Sequence, residues 1–252
     1  MTIDLNSDMG EGFGPWVMGD DAAMLDIVTS ANVACGWHAG DPDIMVRTAA
    51  LAKEKGVAIG AHPGFGDLWG FGRRTIRGHI MTELERMVAY QIGAMQACAA
   101  LAGHTVTHVK AHGALGNLTN DEDDFALALG RAIKGVDRSL VMIVMPTLPT
   151  ERVADKLGLK MAREVFADRT YDDTGNLTSR KKQGSVLHDA DFAAERMLRW
   201  LQEKWLETVT GKTIPVEIDT ICVHGDEPTA VATARTLRAK LEGAGITIAP
   251  FA

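Results

Sequence analysis

The chain has 252 residues, of which 46% are hydrophobic and 23% charged, a composition typical of soluble globular proteins. Its net charge of −7 argues against a general nucleic-acid-binding protein, because such proteins contact phosphates through a basic surface. No apolar run approaches the roughly 18 residues of a membrane span, and the N-terminal MTIDLNSD lacks the features of a secretory signal. Three cysteines without a CxxC pair favour a reducing compartment, so we expect a cytoplasmic protein with no membrane or nucleic-acid partner.

Short apolar runs alternate with longer helical patterns along the chain. Strands are predicted near residues 3–7, 31–35, 57–61, 106–111, 140–145, 161–166, 219–223 and 246–249. Helices are predicted near residues 43–55, 81–102, 121–134, 148–157, 190–208 and 228–243. This alternation indicates βαβ units with a parallel sheet. About eight strands favour a single α/β domain over residues 3–250, a (β/α) TIM-like barrel, with an open doubly wound sheet as the alternative.

Two helix starts carry local signals. Asp41 can cap the helix that Pro42 begins, and Gly56 suits the position just after its end. The segment 226–228, Asp-Glu-Pro, is predicted to start the last helix, because acidic residues favour the positive end of a helix.

Two polar stretches, residues 63–79 and 167–185, are longer than the usual connection between a strand and a helix. Both follow predicted strands. In a barrel the segments that follow strands lie on the catalytic face, so we expect both stretches to border the active site.

Polar side chains, most of them ionisable, recur with a period of two at the ends of four predicted strands, which places them on one face of each strand. They are Asp4, Asn6 and Asp8 in the first, His62 beside Gly60 in another, His108, Lys110 and His112 in HVKAHG, and Cys222, His224 and Asp226 in ICVHGD. Barrel enzymes assemble their active sites where such strand ends converge. The sequence therefore predicts one polar site at the C-terminal end of a barrel.

Lys110 lies within an apolar strand, where a lysine is costly to bury unless it is paired. It is predicted either to hold an anionic ligand or to form a structural ion pair with Asp8 or Asp226. His38, His62, His112 and His224 each have a glycine or proline nearby, which would allow a ligand to approach closely. These histidines are predicted as acid–base groups, metal ligands or satisfied structural residues.

A basic pair lies in the first long stretch and a basic triplet in the second, and each can consist of either anion-binding groups or solvated loop residues. They are Arg73-Arg74 and Arg180-Lys181-Lys182. The H-x-x-x-H spacing of His108 and His112 is a weak metal signal, because the segment reads as strand and HExxH is absent. The chain contains no P-loop and no GxSxG nucleophile elbow.

Seven ordered segments resemble the LamB/YcsF family. They are DLNSDMGEGFG (4–14), SANVACGWHAGDP (30–42), GVAIGAHPGFGD (56–67), GFGRR (70–74), HVKAHGAL (108–115), EVFADRTY (164–171) and ICVHGD (221–226). The resemblance implies a barrel of the glycoside hydrolase/deacetylase type with seven or eight strands. It also implies ATP-dependent hydrolysis of 5-oxo-L-proline to L-glutamate, with ATP as co-substrate and 5-oxoprolinase subunits B and C as partners.

Carried over onto this sequence, the family motifs mark a set of site residues. Those predicted to be catalytic are Asp8, His62, Lys110, His224 and Asp226. Those predicted to bind substrate or phosphate are Glu11, His38, Asp41, Arg73, Arg74, His112, Asp168, Arg169 and Arg180. A divalent cation such as Mg²⁺ is expected to accompany ATP. No metal site is assigned.

Two other functions fit the same residues. One is an ATP-independent, metal-assisted amidohydrolase or deacetylase with Asp8, His62 and His112 as ligands. The other is a substrate-binding scaffold whose partner subunits perform the catalysis.

Overall fold

The computed structural model describes residues 1–223 and 230–251. Seven strands form its barrel: β1 (Thr2–Met9), β2 (Ser30–Ala34), β3 (Ala58–His62), β4 (Val106–Val109), β5 (Val141–Val144), β6 (Met161–Phe166) and β9 (Thr220–Cys222). All seven run parallel in the order β1-β2-β3-β4-β5-β6-β9, and β9 pairs with β1 through Asp4–Thr220 to Asn6–Cys222. The predicted TIM-like barrel is confirmed, and the open doubly wound sheet is excluded.

The eighth predicted strand does not join the closed barrel. This strand, β10 (Thr247–Ile248), pairs only with the first two residues of β1. Two further short strands, β7 (Trp205–Glu207) and β8 (Thr213–Pro215), form a separate antiparallel pair. The barrel is therefore closed by seven strands.

Helices surround the barrel on its outer side. They are α1 (Asp21–Leu25), α2 (Pro42–Glu54), α3 (Met81–Leu101), α4 (Gly113–Asp121), α5 (Asp123–Val136), α6 (Pro149–Leu157), α7 (Ala190–Glu203) and α8 (Ala230–Gly243). A 3-10 turn, Leu68–Gly70, lies in the first long loop. None of the helices described combines the length and apolar character that crossing a membrane requires.

The helix predicted over 190–208 ends earlier, at Glu203. Lys204 adopts a left-handed conformation with φ of 56°, which stops the helix, and the chain continues as β7. Helix α4 was not predicted, because Gly113 and Gly116 lower helix propensity. The predicted cap at Asp41 is confirmed, since its carboxylate accepts a hydrogen bond from the Ile44 amide. The predicted start of the last helix at 226–228 lies outside the described residues.

The barrel strands divide their side chains according to the expected period of two. Leu5, Met9 and Val33 belong to the large apolar core that also contains the buried helix side chains. The alternate residues of β1 are polar and almost fully buried, with Asp4 and Asn6 no more than 1% exposed. The interior of the barrel is therefore polar along β1, whereas TIM barrels usually fill it with branched apolar residues.

A chain of hydrogen bonds satisfies these interior groups. The Asn6 amide donates to the Thr220 hydroxyl at 2.7 Å, and the Asn32 amide donates to Asn6 Oδ1 at 2.8 Å. His108 Nε2 lies 3.0 Å from Asn32 Oδ1. The Ser30 hydroxyl donates to Asp4 at 2.7 Å. Buried polar groups are tolerated only when they are paired in this way.

Glycine at position 60 makes room for the imidazole of His108 inside the barrel. A Cβ atom built on Gly60 would lie 2.2 Å from His108 Cδ2, well inside van der Waals contact. Because His108 is fully buried and bonded to Asn32, its ring has no free direction in which to move.

We expect Gly60→Ala to destabilise the fold by about 1–3 kcal/mol, as overpacking of a core does. Urea unfolding measures this loss. Gly93→Ala is the matched control, because no atom lies within 4 Å of a Cβ built at this position of α3, and there alanine should stabilise by about 0.5–1 kcal/mol. In a double variant with His108→Ala the combined loss should be smaller than the sum of the single losses; full additivity would contradict the proposed clash.

Candidate active site

A cavity of about 960 Å³ opens at the C-terminal ends of the strands. The two long loops contribute to its wall, as predicted for residues 63–79 and 167–185. The predicted site residues that line it are Asp8, Glu11, His62, Arg73, Arg74, Lys110, His112, Arg169 and Arg180. Side chains far apart in the sequence thus converge on one concave surface.

Lys110 lies at the floor of this cavity and is 5% exposed. Its Nζ atom is 2.8 Å from Glu164 Oε1 and 3.1 Å from Asp8 Oδ1. It also donates to Asn6 Oδ1 at 3.3 Å and to the Cys222 sulfur at 3.1 Å. The ion pair with Asp8, left open from the sequence, is present, and Glu164 is a second partner that was not predicted.

The charges at the floor stabilise one another. Burial alone would lower the pKa of Lys110, but Asp8, Cys222 and Glu164 outweigh it and raise that pKa well above its ordinary value. Burial alone would likewise raise the pKa of Asp8, but His62 and Lys110 hold it well below the ordinary range. At neutral pH the floor therefore contains a protonated Lys110 beside an ionised Asp8.

Backbone carbonyls orient two histidines beside this ion pair. His62 Nδ1 lies 2.7 Å from the carbonyl oxygen of Lys110, and His112 Nε2 lies 2.8 Å from that of Phe71. The other two ring nitrogens, His62 Nε2 and His112 Nδ1, face each other at 3.0 Å. The two imidazoles are thereby held edge to face at the cavity wall.

Glu11 and His38 complete a histidine–glutamate cluster with His62 and His112. One ligand atom from each residue lies within 4.8 Å of every other, a spacing that could hold a metal ion. The ring of His38 stacks on that of His112, with centroids 3.6 Å apart and planes 4° from parallel. Burial lowers the pKa of His112 to about 3. Burial and the neighbouring ring of His112 lower the pKa of His38 well below its ordinary value. Both rings are therefore neutral at physiological pH.

Cations surround the mouth of the cavity. They are Arg73, Arg74, Arg169, Arg180, Lys181 and Lys182. Arg74 is paired with Asp67 of the same loop, donating from Nε at 2.8 Å. Arg169 donates to the carbonyl oxygens of Ser185 and Thr178, which ties together the second long loop. The rim is basic although the whole chain is acidic, which suits an anionic ligand.

Comparison with known proteins finds one family and its relatives along nearly the whole chain. The LamB/YcsF family model matches residues 3–252. The chain belongs to the LamB/YcsF family. It is 60% identical to the A subunit of 5-oxoprolinase from Rhodopseudomonas palustris (strain ATCC BAA-98 / CGA009), covering 100% of this chain and 99% of that one. It is 54% identical to the A subunit of 5-oxoprolinase from Gluconobacter oxydans (strain 621H), covering 98% and 97%.

A solved structure in the comparison carries the same fold. The lactam utilization protein of Thermus thermophilus is 40% identical and superposes with a TM-score of 0.94, covering 100% of both chains.

Some predicted site residues of this LamB/YcsF chain lie outside the cavity lining. His38 is buried behind His112, and Asp41 caps α2 while also accepting a hydrogen bond from the Gly14 amide. Asp168 lies two residues after the end of β6 and is not part of the lining. His224 and Asp226 lie outside the described residues.

Sequence reasoning missed Glu164 as a site residue. It lies in β6 within MAREVF, is 3% exposed and lines the cavity. The signal was available, because an acid between an arginine and two apolar residues of a buried strand needs a cationic partner. The sequence alone does not show that this partner is Lys110.

We expect Lys110→Met to destabilise the fold by about 3–5 kcal/mol, because it leaves the buried carboxylate of Glu164 and the partly buried carboxylate of Asp8 without their cation. Thermal or urea unfolding measures the loss. Adding Glu164→Gln should recover part of it. The control Lys160→Met, at an exposed position, should change stability by less than about 0.5 kcal/mol. Equal effects of the two lysine substitutions would refute the role of the ion pair.

Proposed function

We propose that this chain is the A subunit of an ATP-dependent 5-oxoprolinase that converts 5-oxo-L-proline to L-glutamate. The observation that carries the proposal is the 60% identity, over the full length, to a relative named as the A subunit of 5-oxoprolinase. The name of the Thermus relative, a lactam utilization protein, supports a cyclic amide as the substrate class. The basic rim and the acid and histidine groups below it are the kinds of group that such a reaction needs.

The chemistry explains why ATP is required. Resonance in a lactam makes its carbonyl carbon a poor electrophile. Transfer of the terminal phosphoryl group of ATP to the lactam oxygen gives ADP and converts that oxygen into a leaving group. One water then attacks the same carbon, and the ring C–N bond breaks with protonation of the nitrogen, which leaves an acyl phosphate at the side-chain carboxyl of glutamate. A second water hydrolyses this acyl phosphate, and phosphate leaves. The products are L-glutamate, ADP and phosphate.

The arrangement of charges suggests one role for the cations at the rim of the cavity and another for the charged groups at its floor. Arg73 and Arg180 at the rim are suited to the carboxylate of 5-oxoproline or to its phosphoryl group. Asp8, which stays ionised, is suited to orient the attacking water beside His62. Because Lys110 is paired with Asp8 and Glu164, we assign it to positioning Asp8.

The remaining parts of the proposal concern groups beyond this cavity. The word subunit in the relatives' names implies a multi-subunit complex, and we propose subunits B and C as the partners. ATP would enter with a divalent cation such as Mg²⁺, and His224 and Asp226 are proposed to assist there. We further propose that residues 3–250 form one catalytic domain and that the complex is cytoplasmic.

The test is glutamate formation from 5-oxoproline by the chain assembled with subunits B and C. Asp8→Asn should lower the rate by at least about 100-fold, the usual contribution of a positioned acid–base group. Asp155→Asn, an exposed carboxylate outside the cavity lining, should retain the wild-type rate. Near-normal glutamate formation by Asp8→Asn would remove Asp8 from the mechanism.

The histidine–glutamate cluster favours one second candidate, an ATP-independent, metal-assisted amidohydrolase. The same assay separates the two functions. Glutamate formation at an undiminished rate without ATP would support the amidohydrolase and overturn the ATP-dependent reaction.

A further inference from the structure

The hydrogen bonds of two histidines fix where their lone pairs point. A backbone carbonyl can only accept a hydrogen bond, so the ring nitrogens that contact the carbonyls of Lys110 and Phe71 must carry the protons. In the neutral form of each ring, His62 Nε2 and His112 Nδ1 then carry the lone pairs. These two atoms face each other at 3.0 Å across one small volume.

Two carboxylates border the same volume. Asp8 Oδ2 lies 3.3 Å from His62 Nε2, and Glu11 Oε1 lies 3.6 Å from His112 Nδ1. All four atoms can donate an electron pair to a cation, and their convergence on one volume is the arrangement that metal sites show.

The ring of His38 adds an independent observation. Its side chain is 0% exposed, and neither of its ring nitrogens has a hydrogen-bond partner among the described residues. Its Nε2 atom lies 3.9 Å from Glu11 Oε1. Because its ring is parallel to that of His112, the two rings cannot both direct in-plane lone pairs at one ion. His38 instead stacks behind His112, and its Nε2 atom faces the Glu11 carboxylate at 3.9 Å, beyond hydrogen-bond length.

We infer that Glu11, His62 and His112 bind one divalent transition-metal ion of the Zn²⁺ class, and that His38 positions Glu11. Two imidazoles and one carboxylate suit zinc and its neighbours, whereas Mg²⁺ prefers oxygen ligands and retained water. Ligand atoms on tetrahedral zinc lie about 3.3 Å apart, given bonds of about 2.0–2.1 Å. The observed separations of 3.0 and 3.6 Å around His112 Nδ1 bracket that spacing.

The surroundings resemble those of other metal-binding histidines. Each proposed histidine ligand donates its remaining N–H to a backbone carbonyl, which fixes the tautomer and the orientation of the ring. Gly72 allows this packing, since a Cβ atom there would lie 2.8 Å from His112 Cδ2. An ion bound by three protein ligands keeps an open position and supplies Lewis acidity toward a substrate or water. Metal binding at this cluster does not depend on the reaction proposed above.

The test uses the full chain alone, treated with a chelator and then titrated with Zn²⁺, Mn²⁺, Ni²⁺ or Mg²⁺ by calorimetry. We expect one transition-metal ion per chain, bound at least about 100-fold more tightly than Mg²⁺. Glu11→Gln and His112→Asn should each weaken that binding by more than about 100-fold, and His38→Phe, which keeps the stacked ring, by about 10–100-fold. His188→Asn, at an exposed histidine, is the control and should bind as wild type.

Folding is checked in the same samples. Each variant's circular dichroism should match that of the wild type, and Zn²⁺ should raise the Tm of the wild type but not that of Glu11→Gln. Wild-type binding no tighter for Zn²⁺ than for Mg²⁺, or unchanged binding by folded Glu11→Gln and His112→Asn, would overturn the site. Because no substrate or partner is present, failure here leaves the 5-oxoprolinase proposal untouched.

Discussion

The buried ammonium group of Lys110 is the constraint on which the rest of the site depends. A charge removed from water must be paired, and unpaired it would cost several kcal/mol. Its partners come from separate strands: Asp8 from β1, Glu164 from β6 and Cys222 from β9. These strands adjoin one another only because the barrel closes between β9 and β1. Closure and charge compensation therefore require each other, which couples the geometry of the site to the fold.

The polar interior follows from the same constraint. Because Lys110 draws Asp8 and Asn6 inward, the inner face of β1 must be satisfied by hydrogen bonds along its length. Imidazole rings occupy the space beside this face. Gly60 and Gly72 accommodate the rings of His108 and His112. The glycines thus pack the histidines, and the ligand-facing surface is formed by the ring edges.

Much of the fold could be predicted, because the alternation of apolar and polar residues is a local signal. That alternation located all seven barrel strands and the polar face of β1. The closure of the barrel between β9 and β1 could not be predicted from local patterns, since the pairing of Asp4 with Thr220 joins residues more than two hundred positions apart. For the same reason the sequence showed that Lys110 needs a partner but not that Glu164 is one. The brief helix α4 was missed because one of its glycines is required by a tertiary contact: a Cβ on Gly113 would lie 2.7 Å from the carbonyl oxygen of Gly72.

The division between strands and loops gives the site two separable properties. Groups at the strand ends are held by the barrel, so the geometry around Asp8 and His62 is rigid. The cationic rim belongs to long loops, and one of them is organised around Arg169, whose guanidinium binds the carbonyls of Ser185 and Thr178. Burial lowers the pKa of Arg169, yet arginine keeps its charge at any physiological pH. Changes in the second loop, around Arg169, can therefore alter which anion is held, whereas changes in the first loop also reach the imidazole of His112, because His112 Nε2 is bonded to the Phe71 carbonyl of that loop.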